Sequence, residues 1–67
     1  MTRLEEQRRY VLRFIGRFKN GPQEFQIIGI EPREIRELRQ QAIRELLAEG
    51  KIQRVGYNLR LKEGKQA

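Results

Sequence analysis

Apolar positions recur at helical spacing in two long stretches of the chain, and the period shortens towards the C-terminal end. Over residues 2 to about 19, Leu4, Val11, Ile15 and Phe18 fall on one face, widened by Phe14. That pattern predicts an amphipathic helix whose apolar face is core. Thr2 and Glu5 stand at the spacing of a capping box and place its start. Asn20-Gly21 ends it. Over residues 32–49, Ile35, Leu38, Ala42 and Leu46 recur at the same spacing, flanked by Ile43 and Leu47, and Gly50 stops this second long helix. Beyond Gly50 the period changes from about 3.6 to about 2. Ile52 begins one strand, Gly56 allows a tight turn, and Tyr57, Leu59 and Leu61 alternate with Asn58, Arg60 and Lys62 in a second. An isolated hairpin is marginal in water, so its apolar side is expected on the helices. Asn58, Arg60 and Lys62 then point outward, with Arg54 near the tip.

The segment between the long helices is the pivot of the pattern. Pro22 is expected to start a short helix with Gln23 and Glu24 in its first turn, and Phe25 and Ile28 to form its buried side. A strand over residues 25–30 is the rival reading, since Phe25 and Ile27 alternate with polar residues. The run Ile28-Gly29-Ile30-Glu31-Pro32 favours the helix. Gly29 can take the positive φ that closes a helix, and Ile30 would supply the apolar contact that follows such a cap. Glu31 is expected as N-cap and Pro32 as the first residue of the next helix. Two helices joined by a tight glycine turn form a helix-turn-helix.

The polar positions divide by face. Arg9, Arg13 and Arg17 lie at i, i+4 spacing opposite the apolar side of the first helix. On the long central helix Arg33, Arg36, Gln40 and Arg44 form one strip; Glu34, Gln41 and Glu45 form another, with Glu37 on the border. The net charge is +6, with the basic excess in the first and last segments, and the pI is near 10.5. A polyanionic partner is therefore expected, nucleic acid first.

Sixty-seven residues make one domain, expected over residues 1–62 with 63–67 as a loose tail. The chain contains no His, Cys, Ser, Asp or Trp. Hydrolytic triads, His–carboxylate pairs and most metal sites need those residues, so a binding protein without enzymatic activity, cofactor or metal is expected. The start of the chain, Met1-Thr2-Arg3-Leu4-Glu5-Glu6, is too charged for a signal peptide, and no apolar run approaches a membrane span. A soluble protein of the cytoplasm, at the nucleoid if it binds DNA, is expected, with no membrane partner.

At this level the chain resembles the winged helix-turn-helix family of DNA-binding domains. The resemblance covers about residues 2–62. It rests on Gly29 between Ile28 and Ile30, on Ile35 and Leu38, on the exit Leu46-Leu47-Ala48-Glu49-Gly50-Lys51-Ile52, and on the returning strand Tyr57-Asn58-Leu59-Arg60-Leu61. It implies a mainly α fold of three helices with a C-terminal two-stranded wing. It also implies sequence-specific binding of double-stranded DNA, in transcription regulation or as an accessory factor in replication or recombination. The third helix would enter the major groove and the wing would lie along the backbone or minor groove. Carried over by position, Arg33, Arg36, Glu37 and Gln40 would meet base edges. Arg44, Arg54, Asn58, Arg60 and Lys62 would meet phosphates, and the backbone N–H groups of Gln23 and Glu24 would hold a further phosphate. The family usually has a small residue where the first helix of the motif crosses its partner; Phe25 stands near that place here.

Other partners follow from other faces. Winged helices also bind proteins, and the Glu strip with the flank of Ile43 and Leu47 would form such a surface, making the chain an adaptor or inhibitor without direct DNA readout. Two copies reading two half-sites would form a homodimer, with Tyr10 or Leu12 of the first helix as the contact. Single-strand or RNA recognition favours exposed aromatics, which are expected to be few, with Tyr57 the lone candidate. A membrane-surface role conflicts with the need of the first helix for its apolar side.

Overall fold

In the computed structural model, which describes residues 1–62, Thr2 caps the first helix as its spacing predicts. Its Oγ1 accepts the N–H of Glu5 at 3.1 Å, and Glu5 Oε1 accepts the N–H of Thr2 at 2.8 Å. Two orphan N–H groups are thereby satisfied. This helix, α1, spans Arg3–Gly16 and is shorter than the apolar period suggests. Past Gly16 the bonds tighten to i→i−3, with Phe18 N–H on Ile15 O and Gly21 N–H on Phe18 O, both at 3.2 Å. Phe18 thus leaves the apolar stripe and is 41% exposed. The expected C-terminal tail, 63–67, lies outside the described residues.

Helix α2 spans Glu24–Ile28 and α3 spans Arg33–Glu49, so the strand alternative for 25–30 does not form. Strands β1, Ile52–Val55, and β2, Asn58–Leu61, pair antiparallel with Ile52 opposite Leu61 and Val55 opposite Asn58. The described chain is thus three helices followed by a two-stranded antiparallel sheet. The core takes Val11 and Ile15 from α1, Ile27 from α2, Ala42, Ile43 and Leu46 from α3, and Ile52 and Leu59 from the strands. Each large aliphatic side chain buried in this way contributes roughly 1.5–3 kcal/mol relative to exposure.

Three expectations around α2 are corrected. Its buried residue is Ile27, while Ile28 is half-buried and Phe25 is 68% exposed. Phe25 therefore points away from the helix crossing that it stood to obstruct. Gly29 does turn the chain with positive φ, but at φ 69° and ψ −162°. That is an extended left-handed conformation open essentially to glycine alone. It throws Ile30 into solvent instead of back onto the cap. Pro32, at φ −55° and ψ 157°, is the N-cap residue of α3, and Glu31 lies outside the helix.

A buried arginine holds this turn. Arg39 sits in the apolar stripe of α3 and is 6% exposed. Its Nη1 donates to the carbonyls of Ile27 and Ile28, each at 3.1 Å, and its Nε donates to Gln7 Oε1 at 2.9 Å. Its Nη2 lies 3.5 Å from the Glu31 carboxylate. The guanidinium carbon lies 3.9 Å from the centre of the Tyr10 ring. The two carbonyls belong to the last turn of α2, where a helix lacks internal donors. One side chain thus ties α1, α2 and the inter-helix turn to α3.

The sheet is anchored by the link between α1 and α2. Leu59 N–H donates to Pro22 O at 2.8 Å, and Gln23 forms an isolated antiparallel bridge with Asn58. Gly21 makes this approach possible. Its φ is 82°, and a side chain there would drive into the carbonyl of Leu59. The strand β2 is therefore paired with β1 on one edge and with residues 21–23 on the other.

Candidate nucleic-acid interface

The polar faces of α3 separate in space as they do in sequence. Arg33, Arg36, Glu37, Gln40 and Arg44 are all exposed. Arg33, Arg36, Gln40 and Arg44 run along one strip, which at about 1.5 Å per residue extends roughly 16 Å. Among the described residues no carboxylate pairs with Arg33, Arg36 or Arg44. Glu37 faces another way: with Glu34, Leu38 and Gln41 it borders a shallow groove shared with Arg3 of α1.

The acidic flank is partly consumed inside the fold. Arg8 of α1 reaches Glu45 at 2.8 Å and also holds Glu49, joining α1 to the end of α3. The hydrogen bonds from Arg8 hold the Glu49 carboxyl below its usual range. The two carboxylates in turn push the Arg8 guanidinium further up, so it keeps its charge. Ile43 is 1% exposed and Leu47 half-buried, so the apolar flank expected beside the Glu strip is core. Of the dimer contacts expected on α1, Leu12 packs against the core, while Tyr10 lies against Arg39 and stays exposed.

The hairpin residues are less uniform than their alternation implies. Asn58 is turned inward and donates Nδ2 to Gly21 O at 2.6 Å, so it fastens the sheet and is not a free phosphate contact. Arg54 lies 3.3 Å from Glu24 and ties the hairpin to α2. Arg60 lies over Gly21, in a groove of about 160 Å3 that it shares with Phe18 and Lys19 at the end of α1. Lys62 is exposed at the hairpin base, where its N–H donates to Lys51 O at 3.1 Å. At the start of α2, Gln23 N–H is taken by Gln26 Oε1 at 2.8 Å and the Glu24 side chain by Arg54. The Gln23 N–H is thus already satisfied within the fold.

The aromatic residues differ most from expectation. Tyr57 forms the two-residue turn together with Gly56 and is 85% exposed, not packed in the core. Phe18, Phe25 and Tyr10 are exposed too, the last at 37%. Tyr10 and Phe14 of α1 and Phe18 just past its end form a row, with ring centres 5.8 Å and 5.1 Å apart. The premise that exposed rings are few does not hold. The i, i+4, i+8 spacing of these three rings was visible in the sequence, and so was the charged Arg39 between Ile35 and Ile43.

Among the described residues no group of three or more His, Cys, Asp or Glu is placed to hold a metal, and no helix is long and apolar enough to cross a membrane. Comparison with protein-family models, with curated proteins and with solved structures finds no match.

Proposed function

We propose that the chain binds double-stranded DNA as a small regulator or accessory factor, in the manner of a winged helix-turn-helix domain. The α3 strip enters the major groove, and the hairpin lies along the backbone or minor groove. One observation carries this reading. Arg33, Arg36 and Arg44 stand exposed on one face of α3 without a carboxylate partner among the described residues, while Arg8, Arg39 and Arg54 are matched within the fold. A helix fits the major groove, and Arg and Gln on its outer face suit guanine and adenine edges. The order α1-α2-α3-β1-β2, with a glycine turn before the exposed helix, supports the same docking. The hairpin's share narrows to its tip around Tyr57 and its base at Lys62, since Arg54 and Asn58 are bonded internally.

A titration of labelled random-sequence duplex, followed by fluorescence anisotropy at several salt concentrations, tests the reading. Neutralised phosphates predict log K falling against log salt with a slope of about −0.9 each, so a slope near −3 or steeper is expected. Absence of binding at low salt refutes it.

A second reading has its own observation. Phe25 is 68% exposed on α2, and Ile30 is fully exposed in the turn beside it. Large apolar side chains held in solvent by a rigid turn favour a protein contact. That reading predicts capture of a protein partner that Phe25→Ser abolishes, with duplex affinity unchanged.

A further inference from the structure

We propose that the exposed face of α1 is a second nucleic-acid surface, one that takes an unpaired strand. The face has two parallel rows. Tyr10, Phe14 and Phe18 supply rings, with Phe14 and Phe18 stacked at an interplanar angle of 29°. Arg9, Arg13 and Arg17 supply exposed charges with no carboxylate partner among the described residues. Between the rows lies a groove of about 180 Å3 lined by Tyr10, Arg13, Phe14 and Arg17. The track continues past the end of the helix. Phe18 and Lys19 share the next groove with Arg60 of β2, which also borders the hairpin groove with Lys62.

The chemistry selects the ligand. Like charges at i, i+4 repel, and no carboxylate pairs with Arg13 or Arg17 among the described residues to offset that cost. A phosphate backbone relieves that repulsion. Phosphates alone would make duplex and single strand equivalent, but the rings separate them. A duplex hides its base faces, whereas an unpaired strand offers one to Phe18, the most exposed ring of the row. An acidic protein would use the arginines and leave the rings in solvent. The rings are also held in place before any ligand arrives: Arg39 lies over Tyr10, and Phe14 packs against the core.

The test uses the full chain and a labelled oligothymidylate of about twenty nucleotides, read by anisotropy, beside the duplex titration. The oligothymidylate is expected to bind. Arg13→Gln with Arg17→Gln should weaken it about ten-fold and flatten its salt slope by about 1.4, that is about 0.7 for each lost phosphate contact. Phe18→Ala should weaken it about five-fold or more, and Phe18→Tyr should restore it. Duplex affinity should stay within about two-fold in all three, because the α3 strip is untouched. All these side chains are exposed, so circular dichroism and thermal melting should match the parent. Failure of the oligothymidylate to bind overturns the proposal whatever the duplex does. So does equal loss from Arg36→Ala, which would place the strand on α3. Displacement by polyglutamate as effective as by unlabelled oligothymidylate would show a surface blind to bases and overturn it too.

Discussion

Arg36 and Arg39 stand three residues apart on α3, about one turn from each other, yet one is exposed and the other enclosed. Arg39 is enclosed and makes three hydrogen bonds, one ion pair and a ring contact. Arg36 is exposed, and no carboxylate pairs with it among the described residues. One residue type thus does two kinds of work on one helix. A buried guanidinium must be matched on every donor it can spare, or desolvation makes it a net cost. An exposed one is solvated and loses little by waiting for a partner. The same division runs through α1, where Arg8 is bound to α3 and Arg9, Arg13 and Arg17 are not. Sorting the arginines by what they touch inside the fold separates architecture from available surface, which net charge alone does not.

Removing the enclosed member has the largest expected effect. Arg39→Ala leaves the Ile27 and Ile28 carbonyls without their donor and opens a space beside Tyr10. A cost of about 2–4 kcal/mol is expected in urea unfolding followed by circular dichroism. That is most of the stability a domain of this size commands. A loss below about 1 kcal/mol would mean the network is not holding the turn. Arg36→Ala should reverse the pattern. Stability should stay within about 0.5 kcal/mol, while affinity for a selected duplex falls by about 1–3 kcal/mol and specificity relaxes at one base position. If specificity is unchanged, Arg36 meets a phosphate and not a base.

Arg54→Ala lies between the two classes, since its ion pair with Glu24 is on the surface. A stability loss of about 0.5 kcal/mol is expected in the same unfolding assay. The smallest effect concerns pH. Arg8 lowers the Glu49 carboxyl below its ordinary value of 4.5. The unfolded chain then binds more protons in that range, so this pair stabilises the fold above the ordinary value and is lost as pH falls through the lowered one. Acid unfolding of Arg8→Gln should show a shallower decline below about pH 4.5 than the parent. Matching curves would mean that solvent screens the pair completely.

What was legible in the sequence follows from how many turns each element has. Helix α3 repeats its apolar face over several turns and ends at Gly50, so its boundaries agree with the pattern to within one residue. The Thr2–Glu5 box is a local interaction and was legible for that reason. Helix α2 spans Glu24–Ile28, barely more than one turn, and a period cannot be phased over so short a length. Its buried residue is decided by packing against α3, which is why Ile27 and not Phe25 points inward. Alternation likewise cannot show where a turn stops and a strand begins, and so Tyr57 read as a strand residue. The α3 strip was legible as exposed, because amphipathicity predicts the polar side as well as the apolar one. The inward bond of Asn58 was not, because its acceptor, Gly21, is remote in sequence.

The sheet's double anchorage has a consequence for how the chain assembles. The last described strand in sequence is the middle one in space, with Leu59 wholly buried between β1 and residues 21–23. The molecule therefore cannot close progressively from its N-terminal end. The α1–α2 link waits for a partner that is synthesised about forty residues later, and closing that span carries a loop entropy which local helix pairing does not. A protease cut in the hairpin turn would, for the same reason, do more than free an end. It would loosen the strand that seals the core.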